Sequence, residues 1–254
     1  MASLKQLKTQ FLEYVEIEKG RSLHTVENYD RYLTRFLNFI KNDNPEDITD
    51  ASVREFRLWL NRQSARDIKI KDKTLSKKTQ NYYLIALRAF LKFLARQGVK
   101  SMPSERIELA KVSERQLDLI TDTELNRLLD SPSGNELKDV RDRAILELLF
   151  STGLRVSELC ALNSDIDLTN EELSIRGKGG KVRVVFISDT AKNAVKKYLS
   201  MRKDMSDALF VQVGNEINNK TENKKTAKQG LTAGARTRRS IERIVKHHAT
   251  KAGI

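Results

Sequence analysis

The stretch Thr152-Gly-Leu-Arg-Val-Ser-Glu-Leu159 is the most informative feature of this chain. It follows a segment whose apolar residues recur at helical spacing, and Gly153 predicts the left-handed residue that ends such a helix. A new helix then starts near Arg155, where backbone amides and a guanidinium together would form a good phosphate clamp. Glu158 lies three residues farther along the same helical face and could hold the arginine side chain. In isolation, this spacing more often marks an ordinary surface ion pair.

A glycine-rich turn, Gly177-Lys-Gly-Gly-Lys181, follows about twenty residues later. The apolar pattern around it predicts a β-hairpin within residues 165–187, with Lys178 at the tip. Glycines on both sides of this lysine let the turn approach another backbone closely. A P-loop is a poor alternative, because no Ser or Thr follows the lysine and no glycine stands five residues before the Gly-Lys pair. A solvated basic turn is the other interpretation.

The charge of the chain points to a polyanionic partner. The formal net charge is +13, with 47 Lys+Arg against 34 Asp+Glu. Residues 1–100 carry 20 basic and 12 acidic side chains, or +8, which leaves 27 and 22, or +5, for the rest. Nucleic acid is the commonest such partner, although a merely soluble basic protein is also possible. The single cysteine, the lack of a long apolar run and the polar N-terminus predict a cytoplasmic protein.

The first hundred residues predict a small helical domain, residues 1–100. Apolar residues recur at helical spacing in four segments, around residues 4–17, 23–40, 53–60 and 83–94. Ser22 is the predicted N-cap of the second helix, and Gly98 ends the fourth. Four helices in about a hundred residues predict a bundle. Residues 101–118, with Pro103 and weak periodicity, read as a linker.

A second domain is predicted over residues 119–254. It opens with a capping box between Thr121 and Glu124. Helices flank the hairpin on both sides. Residues 213–238 are polar and lack an apolar period, which predicts an exposed, mobile loop. A last helix is predicted over residues 239–251.

Taken together, these features resemble the tyrosine recombinase family, of the phage-integrase and Xer type. Residues 151–162 are similar to the first catalytic box of that family, and the hairpin at 177–181 resembles its catalytic β-hairpin. The family's N-terminal pattern is matched by Thr25, Tyr29, Leu33 and Phe36. The resemblance implies a mainly α fold, with a four-helix, SAM-like core-binding domain and a truncated, α-rich catalytic domain that carries a small β-hairpin.

The resemblance also implies a chemistry. Family members are site-specific DNA recombinases, which cleave and rejoin strands through a 3′-phosphotyrosyl intermediate without metal, ATP or other cofactor. By position, Arg155 matches an arginine that stabilises phosphate charge, and Lys178 matches the lysine that acts as general acid. Glu158 would support Arg155. Double-stranded DNA is the expected partner.

The family pattern is not completed within these 254 residues. Neither the second box, His-x-x-Arg, nor a tyrosine beyond it follows the last helix. His247 and His248 have no arginine three residues on, and we expect both on the helix surface. Tyr198 is predicted to lie in the core rather than to act as the nucleophile. We therefore expect this 254-residue chain alone to be catalytically incomplete. Because the helix that joins neighbouring subunits is also missing, we expect a monomer without DNA.

Two basic groups are predicted to contact DNA. The helix after Ser76 supplies Lys77, Lys78, Asn81 and Arg88. The second group precedes and enters the last helix, with Arg236, Arg238, Arg239 and Arg243. Phosphate contacts are expected from most of them, whereas solvated charged faces are the alternative. The rival to the recombinase hypothesis is a non-catalytic DNA-binding protein that occupies recombination sites or competes with an intact recombinase.

Overall fold

The computed structural model of the chain describes residues 3–63, 74–113, 118–213 and 235–254. The chain divides into two compact units, Met1–Gln116 and Leu117–Ile254. The described residues are mostly helical, with a single two-stranded antiparallel sheet among them. The mainly α fold with a small hairpin is thus confirmed. No helix in the described part of the chain is long and apolar enough to cross a membrane.

The described part of the first unit contains the four expected α-helices. They are α1 (Leu4–Glu16), α2 (Leu23–Ile40), α3 (Asp50–Asn61) and α4 (Lys77–Arg96). Capping boxes at Ser3 and Thr49 start α1 and α3, because each hydroxyl accepts from a first-turn amide that the helix leaves unbonded. Ser22 does precede α2 as its N-cap, but its hydroxyl bonds the Thr25 hydroxyl instead of a backbone amide.

Aromatic side chains fill the core of this unit. Phe11, Phe36 and Phe56 are almost fully buried, and the rings of Phe36 and Phe56 meet edge to face with centroids 5.0 Å apart. Burial of each such ring contributes roughly 1.5–3 kcal/mol. The segment after α4, which the sequence suggests as a linker, adds Met102 and Ile107 to the same core.

The second unit has helices that precede and follow its hairpin along the chain. Its elements are α5 (Asp122–Asp130), α6 (Leu137–Thr152), α7 (Val156–Leu159), β1 (Glu172–Arg176), β2 (Val182–Phe186), α8 (Asp189–Met201) and α9 (Arg238–Lys251). The capping box of Thr121 and Glu124 forms as predicted. Residues 214–234, most of the predicted mobile loop, lie outside the described residues.

The core of the second unit is centred on the packing of α6 against α8. Ile145 of α6 and Val195 and Tyr198 of α8 are completely buried. The Tyr198 hydroxyl accepts a hydrogen bond from the Val211 amide at 3.3 Å, and burial raises the pKa of its phenol. Tyr198 is a core residue, in line with the sequence prediction. The Ser188 amide donates to the Ser151 hydroxyl at 2.7 Å, which ties the start of α8 to the end of α6.

A buried polar cluster joins α5, α6 and α9. Arg141 donates to Asp142 at 2.7 and 2.9 Å, and the other Asp142 oxygen lies 3.3 Å from Nε2 of His248. The other ring nitrogen of His248 lies 2.6 Å from the Ser131 hydroxyl. The prediction that His248 lies on the surface was wrong: its side chain is 4 % exposed. The reason is its register, since it continues the buried face of α9 that begins at Ile241.

Candidate active site

The end of α6 and the start of α7 place Arg155. Gly153 ends α6 with a left-handed backbone (φ 60°), as its sequence position predicted. Arg155 then occupies the N-cap of α7 with an extended backbone. Its side chain is 68 % exposed, while the helix behind it is packed against the core. The turn therefore presents a guanidinium to solvent at a helix start.

Glu158 holds Arg155 by both backbone and side chain. The Arg155 amide donates to one carboxylate oxygen at 2.8 Å, and Nη1 donates to the other at 3.0 Å. The Glu158 side chain is only 6 % exposed. A carboxylate this well covered needs its hydrogen bonds, because an unpaired buried charge is costly.

Arg183 of β2 is the second partner of Glu158. Its Nη1 and Nη2 donate to the two carboxylate oxygens, each at 2.8 Å. Hydrogen bonds from Arg183, and next from the Arg155 amide, hold the pKa of Glu158 far below its usual value. Two guanidinium groups thus share one carboxylate, which leaves a net charge of +1. The exposed Arg155 can offer that charge to an anion.

The hairpin turn begins against this ion pair. The two strands are in register, with Ile175 opposite Arg183, and the Gly177 amide donates to the Lys181 carbonyl at 2.7 Å. A Cβ atom at Gly177 would lie 3.3 Å from both Arg183 Nη1 and a Glu158 oxygen. The next residue is Lys178, whose backbone lies in the turn. The fold therefore brings the turn that carries Lys178 to the element that carries Arg155.

The predicted DNA contacts of α4 differ in their surroundings. Lys77 and Lys78 are exposed in the first turn, and Arg88 is half-buried. Nδ2 of Asn81 donates to the Ala110 carbonyl at 2.8 Å, and Oδ1 of Asn81 accepts from the Ala110 amide at 3.0 Å. A bidentate base contact from Asn81 would compete with these two bonds.

The second basic group lies at the start of α9. Arg238, Arg239 and Arg243 are exposed. Arg236, just before the helix, is only 8 % exposed, and its amide donates to the Phe210 carbonyl at 2.9 Å. Because α7 packs against α9, these arginines belong to the same part of the unit as Arg155.

Sequence reasoning missed Arg183. Its signal was the alternation of β2, where Val182, Val184 and Phe186 are exposed and Val185 is buried. Arg183 is in phase with the buried Val185, and a charged residue at such a position needs a partner. No group of three or more His, Cys, Asp or Glu side chains suited to a metal ion occurs among the described residues.

Comparison with known proteins gives matches to both units. A family model described as "Phage integrase family" matches residues 118–251, and one described as "Phage integrase, N-terminal SAM-like domain" matches residues 9–98. A tyrosine recombinase XerC of Thermodesulfovibrio yellowstonii is 36% identical over 77% of this chain and 62% of its own length. A XerD of Oceanobacillus iheyensis is 35% identical over 79% of this chain and 68% of its own. A XerC of Haemophilus influenzae is 32% identical over 95% of this chain and 81% of its own length.

Solved structures share the fold. A lambda integrase tetramer bound to a Holliday junction matches with a TM-score of 0.68 and 15% identity, covering 100% of this chain and 67% of that one. The XerH recombinase bound to a palindromic difH substrate matches with a TM-score of 0.58 and 20% identity, covering 95% of this chain and 67% of that one.

Proposed function

The chain belongs to the phage integrase family of tyrosine recombinases, and on that premise we propose that these residues act in site-specific DNA recombination, where they bind the recombination site and activate its scissile phosphate. The observation that carries the proposal is the meeting of Arg155, Glu158 and Arg183 at the hairpin turn of Lys178. An exposed arginine held at a helix start, next to a lysine-bearing turn, suits a phosphodiester group.

The proposed step is a transfer of the phosphoryl group to a tyrosine. The tyrosine oxygen bonds to phosphorus, its proton passes to solvent, and the bond from phosphorus to the 5′-oxygen breaks. The 5′-oxygen takes a proton from the Lys178 ammonium. The products are a 3′-phosphotyrosyl bond and a free 5′-hydroxyl, and attack by a 5′-hydroxyl reverses the step and seals a strand. Arg155 donates to the non-bridging oxygens, where charge develops.

Residues 1–254 alone are proposed to bind DNA without cleaving it. Five of their six tyrosines precede α5, at positions 14, 29, 32, 82 and 83, so they come from the first unit. The sixth, Tyr198, is buried in the core of the second unit. Binding is assigned to exposed basic residues on α4 and α9, and a polypeptide of residues 1–254 is expected to be monomeric without DNA.

The test is the formation of a covalent protein–DNA adduct. The binding site is first selected from random-sequence duplexes. A nicked duplex that carries it is then incubated either with the protein encoded by the complete gene, called here the full gene product, or with a polypeptide of residues 1–254. On a denaturing gel, the full gene product should give an adduct, and residues 1–254 should give none although they retard the duplex on a native gel.

Two outcomes would contradict this proposal. An adduct of residues 1–254 that maps to one of their tyrosines would contradict the assignment of binding without cleavage. A full gene product that binds the duplex and forms no adduct would favour the rival function, a DNA-binding protein that occupies recombination sites.

A further inference from the structure

We propose that Arg183 is a positioning residue, which holds the hairpin turn so that Lys178 can reach the leaving 5′-oxygen. This inference rests on the proposed function. It assigns to Arg183 a role distinct from that of Arg155, because Arg183 acts through the turn and Arg155 acts on the phosphate.

The geometry of the Arg183–Glu158 contact suits such a role. Two parallel bonds of 2.8 Å fix a guanidinium in both distance and orientation, which a single bond does not. Glu158 is fixed in turn by the Arg155 amide and by its own burial. Arg183 therefore connects β2 to a carboxylate whose position is set by α7.

The described backbone hydrogen bonds of the turn are local ones, from Gly177 to Lys181 and from Gly180 to Gly177. Leu173, Ile175 and Val185 anchor the middle of the hairpin in the core. The tip contains Gly179 and Gly180, both at φ 75°, and glycines make a chain segment conformationally free. Gly177, between the anchored strand and the tip, lies against the Arg183–Glu158 pair. Loss of Arg183 should release the tip and leave the strands in place.

Arg155 should be affected much less. In the absence of the Arg183 side chain, Glu158 still accepts from the amide and from Nη1 of Arg155. The proposal thus predicts a defect in protonation of the leaving group, with activation of the phosphate largely kept. This distinction can be measured.

The experiment compares two nicked duplexes, one with the normal phosphodiester and one with sulfur in place of the bridging 5′-oxygen. A thiolate leaves without a proton, because a thiol has a pKa of about 8.5, far below that of an alcohol. Single-turnover cleavage is measured for the unsubstituted full gene product and for Arg183→Ala, Lys178→Ala and Arg155→Ala.

We expect Arg183→Ala to cleave the normal duplex about 100-fold more slowly than the unsubstituted protein, in the range of a lost general acid. On the sulfur duplex it should come within about tenfold of the unsubstituted protein, as Lys178→Ala should. Arg155→Ala should remain slow on both duplexes. Arg176→Ala is the matched control: it removes an exposed arginine from the same hairpin and should cleave both duplexes normally.

Equal losses of Arg183→Ala on the two duplexes, or no loss on either, would overturn the inference. If thermal melting shows that Arg183→Ala is unfolded, Arg183→Lys is used for the same test, because one ammonium cannot make the two parallel bonds. A full gene product that cleaves neither duplex would contradict the proposed function, and this inference with it.

Discussion

Arg183 and Glu158 form a two-point ion pair, with each terminal nitrogen of the guanidinium donating to a different carboxylate oxygen at 2.8 Å. The same carboxylate accepts two bonds from Arg155, so one buried acid connects α7 to the hairpin. In the proposed site, Glu158 therefore positions both Arg155, at the start of α7, and the hairpin turn that carries Lys178.

Replacement of Glu158 by glutamine should impair cleavage more than binding. Glutamine has one acceptor oxygen and no charge, so it cannot serve both arginines. A misplacement of about 1 Å can cost on the order of 100-fold in rate, and we expect a loss of that order in single-turnover cleavage by Glu158→Gln. Glu172→Gln, an exposed acid of β1, is the control. Unchanged cleavage by Glu158→Gln would show that the carboxylate does not organise the site.

Gly177→Ala should disturb the site without straining the backbone. Its φ of −94° is open to alanine, but the added Cβ would press on Arg183 and Glu158 at 3.3 Å. We expect cleavage to slow about tenfold, in keeping with a displacement of well under 1 Å. Gly179→Ala provides the comparison, because no atom lies within 4 Å of its Cβ and only its φ of 75° is unfavourable. Equal stability of Gly177→Ala and the parent, together with equal cleavage, would argue against close packing of the turn on this pair.

The exposed basic residues should contribute through phosphate contacts. Lys77→Ala, Arg239→Ala and Arg243→Ala should each weaken duplex binding at low salt, regardless of sequence. Each lost contact should lower the slope of log K against log salt by about 0.9. Titrations of a labelled duplex at several salt concentrations measure this slope for residues 1–254. Lys5→Ala, at the start of α1, is the control and should leave the slope unchanged. If it changes the slope as much as Arg239→Ala does, the effect comes from net charge and not from a specific phosphate contact.

The buried His248 should make folding stability fall in mild acid. Burial, only partly opposed by Asp142, lowers the pKa of His248 below its ordinary value of 6.5. The folded state thus favours the neutral ring, and this contribution is complete above about pH 6.5 and is lost as the pH falls further. Urea unfolding between pH 8 and 5 should show the decline in the parent and in His247→Gln, whose ring is exposed. His248→Gln should lack it, and identical pH profiles for all three would contradict the assignment.

Much of this fold could be predicted because local signals agreed with the tertiary structure. The helical spacing around Phe36 and Phe90, and the glycine at position 153, each specify one local conformation. The hairpin was predicted equally well, because two short apolar strands are separated by a glycine-rich turn. The string around Arg155 also led to the family, which no amount of periodicity could have identified.

The partners of the site residues were harder to predict. Arg183 is 25 residues from Glu158 in sequence, and their contact depends on how the hairpin lies on α7. His248 depends on α9 meeting α5 and α6, more than 100 residues away. The sequence predicts a DNA contact for Asn81, but its amide bonds the backbone of Ala110, a contact that no local pattern indicates.

The most direct test of the account pairs cleavage with binding for Arg155→Ala in the full gene product. If Arg155 acts on the scissile phosphate, the variant should cleave the nicked duplex 100-fold to 1,000-fold more slowly, about the effect of losing one donor to developing charge. Its dissociation constant for the intact duplex should change by less than about fivefold, because one phosphate contact among many contributes little to affinity. Losses of equal size in the two measurements would contradict a catalytic role for Arg155 and leave it a DNA-binding residue.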